Sequence, residues 1–186
     1  MARKLLPAVT IRAARKADAA ILARMMNRLR AHHGNPRGRA TAITVRRDGF
    51  GAKRCYEVLI AEIGGKPAGY LLFHDDYDPT EAERGFYMGD LHVEARARRR
   101  KVGRALMAAL AREAKRRKRG FLWWISNGWN DTARAFYADL GAEEEPVVAH
   151  ALSEPALSAL AEETVRPSSA ASLPSGRRAR RPRARR

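Results

Sequence analysis

The sequence predicts a mixed α/β domain, in which a sheet holding both an antiparallel hairpin and a parallel crossover is flanked by helices. Three stretches carry that expectation. Tyr56 to Ile63 and Pro67 to Phe73 are short apolar runs around Gly64-Gly65-Lys66, the pattern of an antiparallel hairpin. Phe86 to Val93, a helical stripe from Val102, and the apolar run Phe121 to Ile125 read as strand, helix, strand, which implies a right-handed parallel crossover. Between Lys16 and His33, Ala20, Ile21, Met25 and Leu29 recur at helical spacing before Gly34-Asn35-Pro36 stops the pattern.

The remaining elements follow in order. Pro7 to Arg12 holds a first strand, Ala8-Val9-Thr10-Ile11, and Arg39 to Arg47 a short helix ended by Asp48-Gly49-Phe50-Gly51. His74 to Arg84 carries Asp75, Asp76, Asp78, Glu81 and Glu83 and reads as an exposed polar loop. Strict alternation along Phe86 to Val93 puts Tyr87, Gly89, Leu91 and Val93 on one face and Phe86, Met88, Asp90 and His92 on the other. Asp90 inside such a strand is costly unless it is paired or faces a wet cleft. His92 reads as a surface or cleft-edge residue without a role.

After that strand comes a helix with Leu106, Met107, Leu110, Ala111 and Ala114 on its apolar side, ended at Gly120. A last amphipathic helix bears Ala133, Phe136, Tyr137 and Leu140, is capped by Asn130 or Asp131, and closes at Gly141. Val147 to Leu152 reads as a late strand and Pro155 to Ala161 as a short helix. Residues 1–165 are thus expected to form one domain. Residues 166–186 have eight arginines, no acid and no periodicity, and read as a disordered tail.

Composition narrows the class. The 186 residues, 45% of them hydrophobic, suffice for one core. The single cysteine, Cys55, forms no intrachain disulfide, and no apolar run is long enough to span a bilayer, so a soluble cytoplasmic protein without membrane contact is expected. The net charge is +17, of which the tail supplies eight, so the rest is basic in its own right. That balance suits an anionic ligand or nucleic acid.

The chemistry concentrates between Asp90 and Arg104. A buried strand, a loop of Arg98, Arg99, Arg100 and Lys101, and a helix N-terminus at Val102-Gly103-Arg104 bring backbone donors, positive side chains and the helix dipole to one place, a ready site for a diphosphate. Alone, the basic run would be a solvated face; its position between an apolar strand and an apolar helical stripe favours the binding site.

Val93, Arg98, Val102, Gly103 and Leu106 together resemble the coenzyme A loop of the GNAT N-acetyltransferase superfamily, with Lys101 where that loop usually has its first glycine. Asn130, Ala133, Phe136, Tyr137, Gly141 and Ala142 resemble that superfamily's second motif. Asp48-Gly49-Phe50-Gly51, Tyr77-Asp78-Pro79, Asp90-Leu91-x-Val93 and Trp129-Asn130 are similar to signatures of its diamine (spermidine/spermine-type) branch, across roughly residues 8 to 162.

The resemblance implies a central, mostly antiparallel twisted sheet with the crossover at the coenzyme site. It implies acetyl-CoA as co-substrate, held by Leu91, Val93, Arg98, Arg99, Arg100, Lys101, Val102, Gly103, Arg104, Asn130, Ala133 and Tyr137. Tyr137 would be catalytic, supplying a proton or hydrogen bond to the leaving sulfur, and Asp78 and Asp90 would bind an amine substrate. It further implies a homodimer and no metal. Gly89 occupies the position where that branch has an acid, and the first helix is basic, which argues against a polyamine as such.

The expected activity is direct acetyl transfer to a primary amine, whether of a diamine, a polyamine-like or lysine-like small molecule, or a protein. Two readings compete. One is a basic nucleic-acid-binding protein, with the helix from Val102 to Arg119 and the tail neutralising phosphates in tight, salt-dependent binding, where the acetyltransferase reading expects only weak, tail-dependent, sequence-indifferent contact; the other is a coenzyme-binding protein without catalysis.

Overall fold

The computed structural model describes residues 8–35 and 37–163. The chain divides into two units, Met1–Glu143 and Glu144–Arg186. The boundary expected at residue 165 and the arginine tail after it lie outside the described residues.

In the first unit, five strands run in the order β1 (Val9–Ala13), β2 (Glu57–Ile63), β3 (Lys66–Asp78), β4 (Glu83–Val93) and β5 (Phe121–Trp123). All neighbours are antiparallel except β4 and β5. Four helices accompany them: α1 (Ala19–His32), α2 (Ala42–Gly49), α3 (Val102–Arg116) and α4 (Asp131–Ala138). This is the mixed α/β architecture expected from the sequence, with its parallel crossover through α3.

Each face of the sheet carries its own core. Leu71, Phe73, Phe86 and Met88 pack with Val102, Leu106, Met107, Leu110 and Ala114 of α3 on one side. Ile60, Val58 and Tyr70 pack with Leu22 and Met25 of α1 and Val45 of α2 on the other. Burying one such large side chain contributes about 1.5–3 kcal/mol, so the two layers together hold the sheet rigidly between helices. At the far end of α3, Arg117 bridges to both carboxylate oxygens of Glu57 on β2 at 2.6 and 2.7 Å, with its guanidinium 5.4 Å from the Phe86 ring centroid.

Several local expectations are corrected. The buried stripe of α1 is Ala19, Leu22, Ala23 and Met25, rotated from the expected one; Ala20 is exposed. Residues 74–84 are not a loop: β3 continues to Asp78 and β4 starts at Glu83, so only the turn between them is irregular. Solvent-exposed hairpin arms tolerate charge on both faces and therefore lack the alternation that marks a strand. α3 ends before Gly120, because Lys118 takes the left-handed conformation (φ 56°) and the N–H of Arg119 reaches back to the Ala114 carbonyl at 2.8 Å.

The correction that matters for function lies in β4. Leu72 pairs with Asp90 but Phe73 with Met88, so Gly89 is an extra residue bulged out of the ladder. Strict alternation fails there. Phe86 and Met88 join Leu91 and Val93 on the α3 side, while His92, opposite Tyr70, lies on the α1 side. A glycine inside a strand pattern is the sequence signal for such a bulge.

In the second unit the described residues contain one helix, α5 (Ala156–Glu162), close to the expected one. Residues 147–152 form no strand; Val147, Val148 and Leu152 are exposed and unpaired with any described strand.

Candidate active site

β5 pairs with β4 only from Gly85 to Tyr87, after which the strands part and the outer edge of β4 from Met88 to Val93 is left open. That parting opens a cleft of about 1120 Å³. Its walls come from β4, the loop and first turn of α3, the segment after β5, α4, and the end of α1.

Eleven of the residues expected to bind coenzyme or substrate line this one cleft, Asp90 among them: Asp90, Leu91, Val93, Arg98, Arg99, Lys101, Val102, Gly103, Arg104, Asn130 and Ala133, together with Tyr137 as the expected catalytic group. Two are not brought there. Arg100 is not in the cleft wall. Asp78 ends β3 outside the cleft, where its Oδ1 accepts the turn N–H groups of Thr80 (2.7 Å) and Glu81 (3.3 Å). Its carboxylate closes the hairpin turn, so of the two only Asp90 lies in the cleft wall.

The loop before α3 is built for an anion. Arg99 and Lys101 both have φ 61°, and Lys101 (ψ 16°) is the N-cap of α3 with no side chain capping the first turn. Backbone reversals of this kind gather N–H groups into a concavity, and an uncapped helix start adds orphan donors and the positive end of the dipole. Lys101 therefore adopts the conformation that a glycine would adopt without strain. Since a left-handed L-residue costs about 1–2 kcal/mol, Lys101→Gly is expected to raise stability by roughly 1 kcal/mol in urea unfolding.

α3 and α4 meet closely across this end of the cleft. A Cβ on Gly103 would sit 3.2 Å from Cζ of Phe136, and Arg104 Nη2 donates to both the carbonyl and Oδ2 of Asp139 at 2.7 and 2.5 Å. Asn130 caps α4, its Oδ1 accepting from the Ala133 N–H at 3.1 Å. A Schellman pair, Ala142 N–H to Tyr137 O and Gly141 N–H to Ala138 O, closes the helix at Gly141 (φ 83°).

Tyr137 rests against Trp124 and Phe136, ring centroids 4.9 and 5.3 Å away. Burial pushes its pKa up to about 12, so the hydroxyl keeps its proton at neutral pH. A cysteine-like thiol ionises near 8.5, so this phenol suits a hydrogen bond to a thiolate better than outright proton transfer.

On the other side of the bulge, Tyr70 Oη donates to Asp90 Oδ2 at 2.7 Å. Burial and the Asp90 charge hold the Tyr70 phenol well above its usual range, so it stays a donor. Beside it His92 is only 8% exposed, its ring 5.8 Å from that of Tyr70, and its Nε2 is buried without a hydrogen-bond partner. Burial lowers the His92 pKa. Sequence reasoning missed both residues. Tyr70 is one unremarked residue of the hairpin strand Pro67 to Phe73, and His92 reads as surface or cleft edge until the register against β3 is known. His33, which follows α1, and Trp129, ring centroids 6.4 Å apart, also line the cleft.

An uncapped helix start in a basic loop, a tyrosine and a carboxylate thus meet in one cleft beside a two-faced α/β sheet. The chain belongs to the acetyltransferase (GNAT) family, whose profile matches residues 22–142. L-ornithine N5-acetyltransferase NATA1 of Arabidopsis thaliana is 36% identical over 76 residues, 41% of this chain and 33% of that enzyme. The match thus spans about a third of that relative's length. Thialysine N-epsilon-acetyltransferase of Bos taurus is 27% identical over 145 residues, covering 73% of this chain and 85% of the enzyme. Among solved structures, an integron cassette protein of V. cholerae aligns with a TM-score of 0.72 at 23% identity, over 83% of this chain and 98% of that one. The aminoglycoside acetyltransferase meta-AAC0020, from an uncultured soil metagenomic sample, aligns at 0.67 and 16% identity, over 78% and 97%. At such identities these two likenesses show the shared fold. Among the described residues no helix is long and apolar enough to cross a membrane.

Proposed function

We propose that this chain transfers the acetyl group of acetyl-CoA directly to the side-chain amine of a small lysine-like molecule. The observation that carries the reading is the single cleft that joins the uncapped start of α3, the Tyr137 hydroxyl and the Tyr70-held Asp90 carboxylate. When bound, acetyl-CoA supplies an acetyl thioester already activated for attack. Arg98, Arg99, Lys101 and the first-turn N–H groups of α3 would hold its diphosphate, Asn130 its pantetheine amide, and the open β4 edge around Leu91 and Val93 would orient the acetyl end.

Asp90 would hold the substrate ammonium. A lysine-like amine has a reference pKa of about 10.4 and must lose a proton before it can attack, which calls for an acceptor at this end of the cleft. Tyr137 would donate to the sulfur as it departs. Cys55 is exposed and is not in the cleft wall, so no side-chain thiol stands ready as a nucleophile there.

Closeness to the diamine branch is supported by the motif matches and by the named activities of the two relatives, both of which act on amino acids that carry a second amine. The cleft carboxylates Asp131 and Asp139 pair with Arg134 and Arg104, and Asp90 is engaged by Tyr70; with His32, His33 and Arg98 also in the wall, this suits one ammonium accompanied by a carboxylate better than a polycation. On this reading the enzyme works in the cytoplasm as a homodimer, and contact of the arginine tail with nucleic acid is non-specific and separable from catalysis.

The test is turnover with acetyl-CoA across a panel of lysine, ornithine, thialysine, putrescine and spermidine. Faster acetylation of the amino acids than of the two polyamines is expected. The reverse order would overturn the substrate class, and no turnover with coenzyme bound would overturn the catalytic reading.

A further inference from the structure

Resting on that proposed function, we propose that the His92 imidazole takes the proton from the attacking amine, while Asp90, fixed by Tyr70, holds the ammonium beside it. Geometry carries the assignment. His92 is two residues from Asp90 on the same face of β4, past the Gly89 bulge, and lines the cleft. Over nine-tenths buried, it has a ring nitrogen with no partner among the described residues. A buried unsatisfied polar atom costs about 1–3 kcal/mol, and a fold that retains one in the wall of a reaction cleft gains from what that atom meets when the cleft fills.

The alternatives at this end of the cleft are weaker. Asp90 has one oxygen committed to the Tyr70 hydroxyl and is placed to hold the ammonium rather than to take its proton. Gly89 has no side chain. Tyr70 and Tyr137 both keep their protons at neutral pH.

The charges facing His92 come from every side. Glu94, after β4, and Asp90 favour its protonated form; Arg98 of the α3 loop and Arg28 of α1 oppose it. Arg28 Nη1 pairs with Glu94 Oε1 at 2.5 Å, which leaves Asp90 as the unneutralised counter-charge for an imidazolium. Burial is the largest influence and keeps the resting imidazole neutral, the form able to accept a proton.

One ammonium proton passes to the imidazole, directly or through one ordered water, and the neutral nitrogen forms its bond to the acetyl carbon as the carbon–sulfur bond breaks. The nitrogen's second proton leaves with the sulfur as thiol. The imidazolium then returns its proton to solvent, so each turnover of an ammonium substrate releases one proton.

The test is the pH dependence of kcat/KM for the amine in wild type and His92→Gln. Because the neutral imidazole is the working form and its folded pKa is lowered, wild-type activity should be full above the ordinary histidine range and fall as pH drops through the lower His92 midpoint. His92→Gln should lose that acidic limb and roughly 10²–10⁴ in rate at neutral pH, with acetyl-CoA affinity unchanged. A variant that keeps the limb, or stays within about threefold of wild type, overturns the proposal.

An NMR titration of the wild-type protein's five histidines adds a test that does not depend on the variant folding. The His92 midpoint should coincide with the kinetic limb, and a disagreement of more than about one pKa unit overturns the assignment. Absence of wild-type turnover on any lysine-like amine would instead refute the proposed function on which this inference rests.

Discussion

Tyr137→Phe is expected to lower the single-turnover rate of acetyl transfer by roughly 10²–10⁴ while acetyl-CoA affinity and melting temperature change little. The substitution keeps the ring against Trp124 and Phe136 and deletes only the hydroxyl. With its pKa raised to about 12 by burial, the phenol is protonated throughout the working range, so what is lost is a donor aimed at negative charge developing on sulfur. Such a donor acts in the transition state more than in the ground state, and its loss appears in the transfer rate rather than in coenzyme binding. Rapid-quench measurement at saturating coenzyme and amine reads it directly. A rate near wild type would make Tyr137 a packing residue.

Gly69→Ala is expected to be the most damaging small substitution at the site, destabilising by about 1–3 kcal/mol or more in urea unfolding. A Cβ there would lie 2.5 Å from the His92 carbonyl oxygen and 3.3 Å from Val93 Cα, with Val102 Cγ1 behind them at 3.4 Å. Two of those three neighbours are backbone, so no rotamer change relieves the clash; β3 and β4 must separate where Gly69 pairs with Val93. The same displacement would shift His92, Val93 and the start of α3, so surviving protein should also lose transfer rate. Wild-type stability and rate in this variant would mean that the strands at the site are not held as closely as described.

What was legible in the sequence is what is contiguous. The strand, basic loop and helix start from Asp90 to Arg104 could be read as one anion site because a helix N-terminus follows the strand within a few residues. Residue type marked Asn130 or Asp131 as the cap of α4, of which the chain uses Asn130, while Tyr137 stood out only through the resemblance of its motif. What stayed hidden depends on pairing across the sheet. The Gly89 bulge changes which residues share a face, and only the register against β3 reveals it; with it goes the burial of His92 beside Tyr70. Asp78 was expected at the substrate through the resemblance of Tyr77-Asp78-Pro79, whereas residue type alone favours the turn acid that it is. Lys101 stood where glycine was expected, yet the chain takes the left-handed turn there regardless.

The account's central claim is direct transfer from acetyl-CoA to a primary amine in this cleft, and single turnover with isotope-labelled acetyl-CoA tests it most directly. Mass spectrometry would follow both the intact enzyme and the amine through one turnover. The account predicts that the label appears on the amine at the rate at which free thiol appears, with no acetylated protein on the way. An acetylated enzyme that forms and passes its label to the amine at the turnover rate would contradict it.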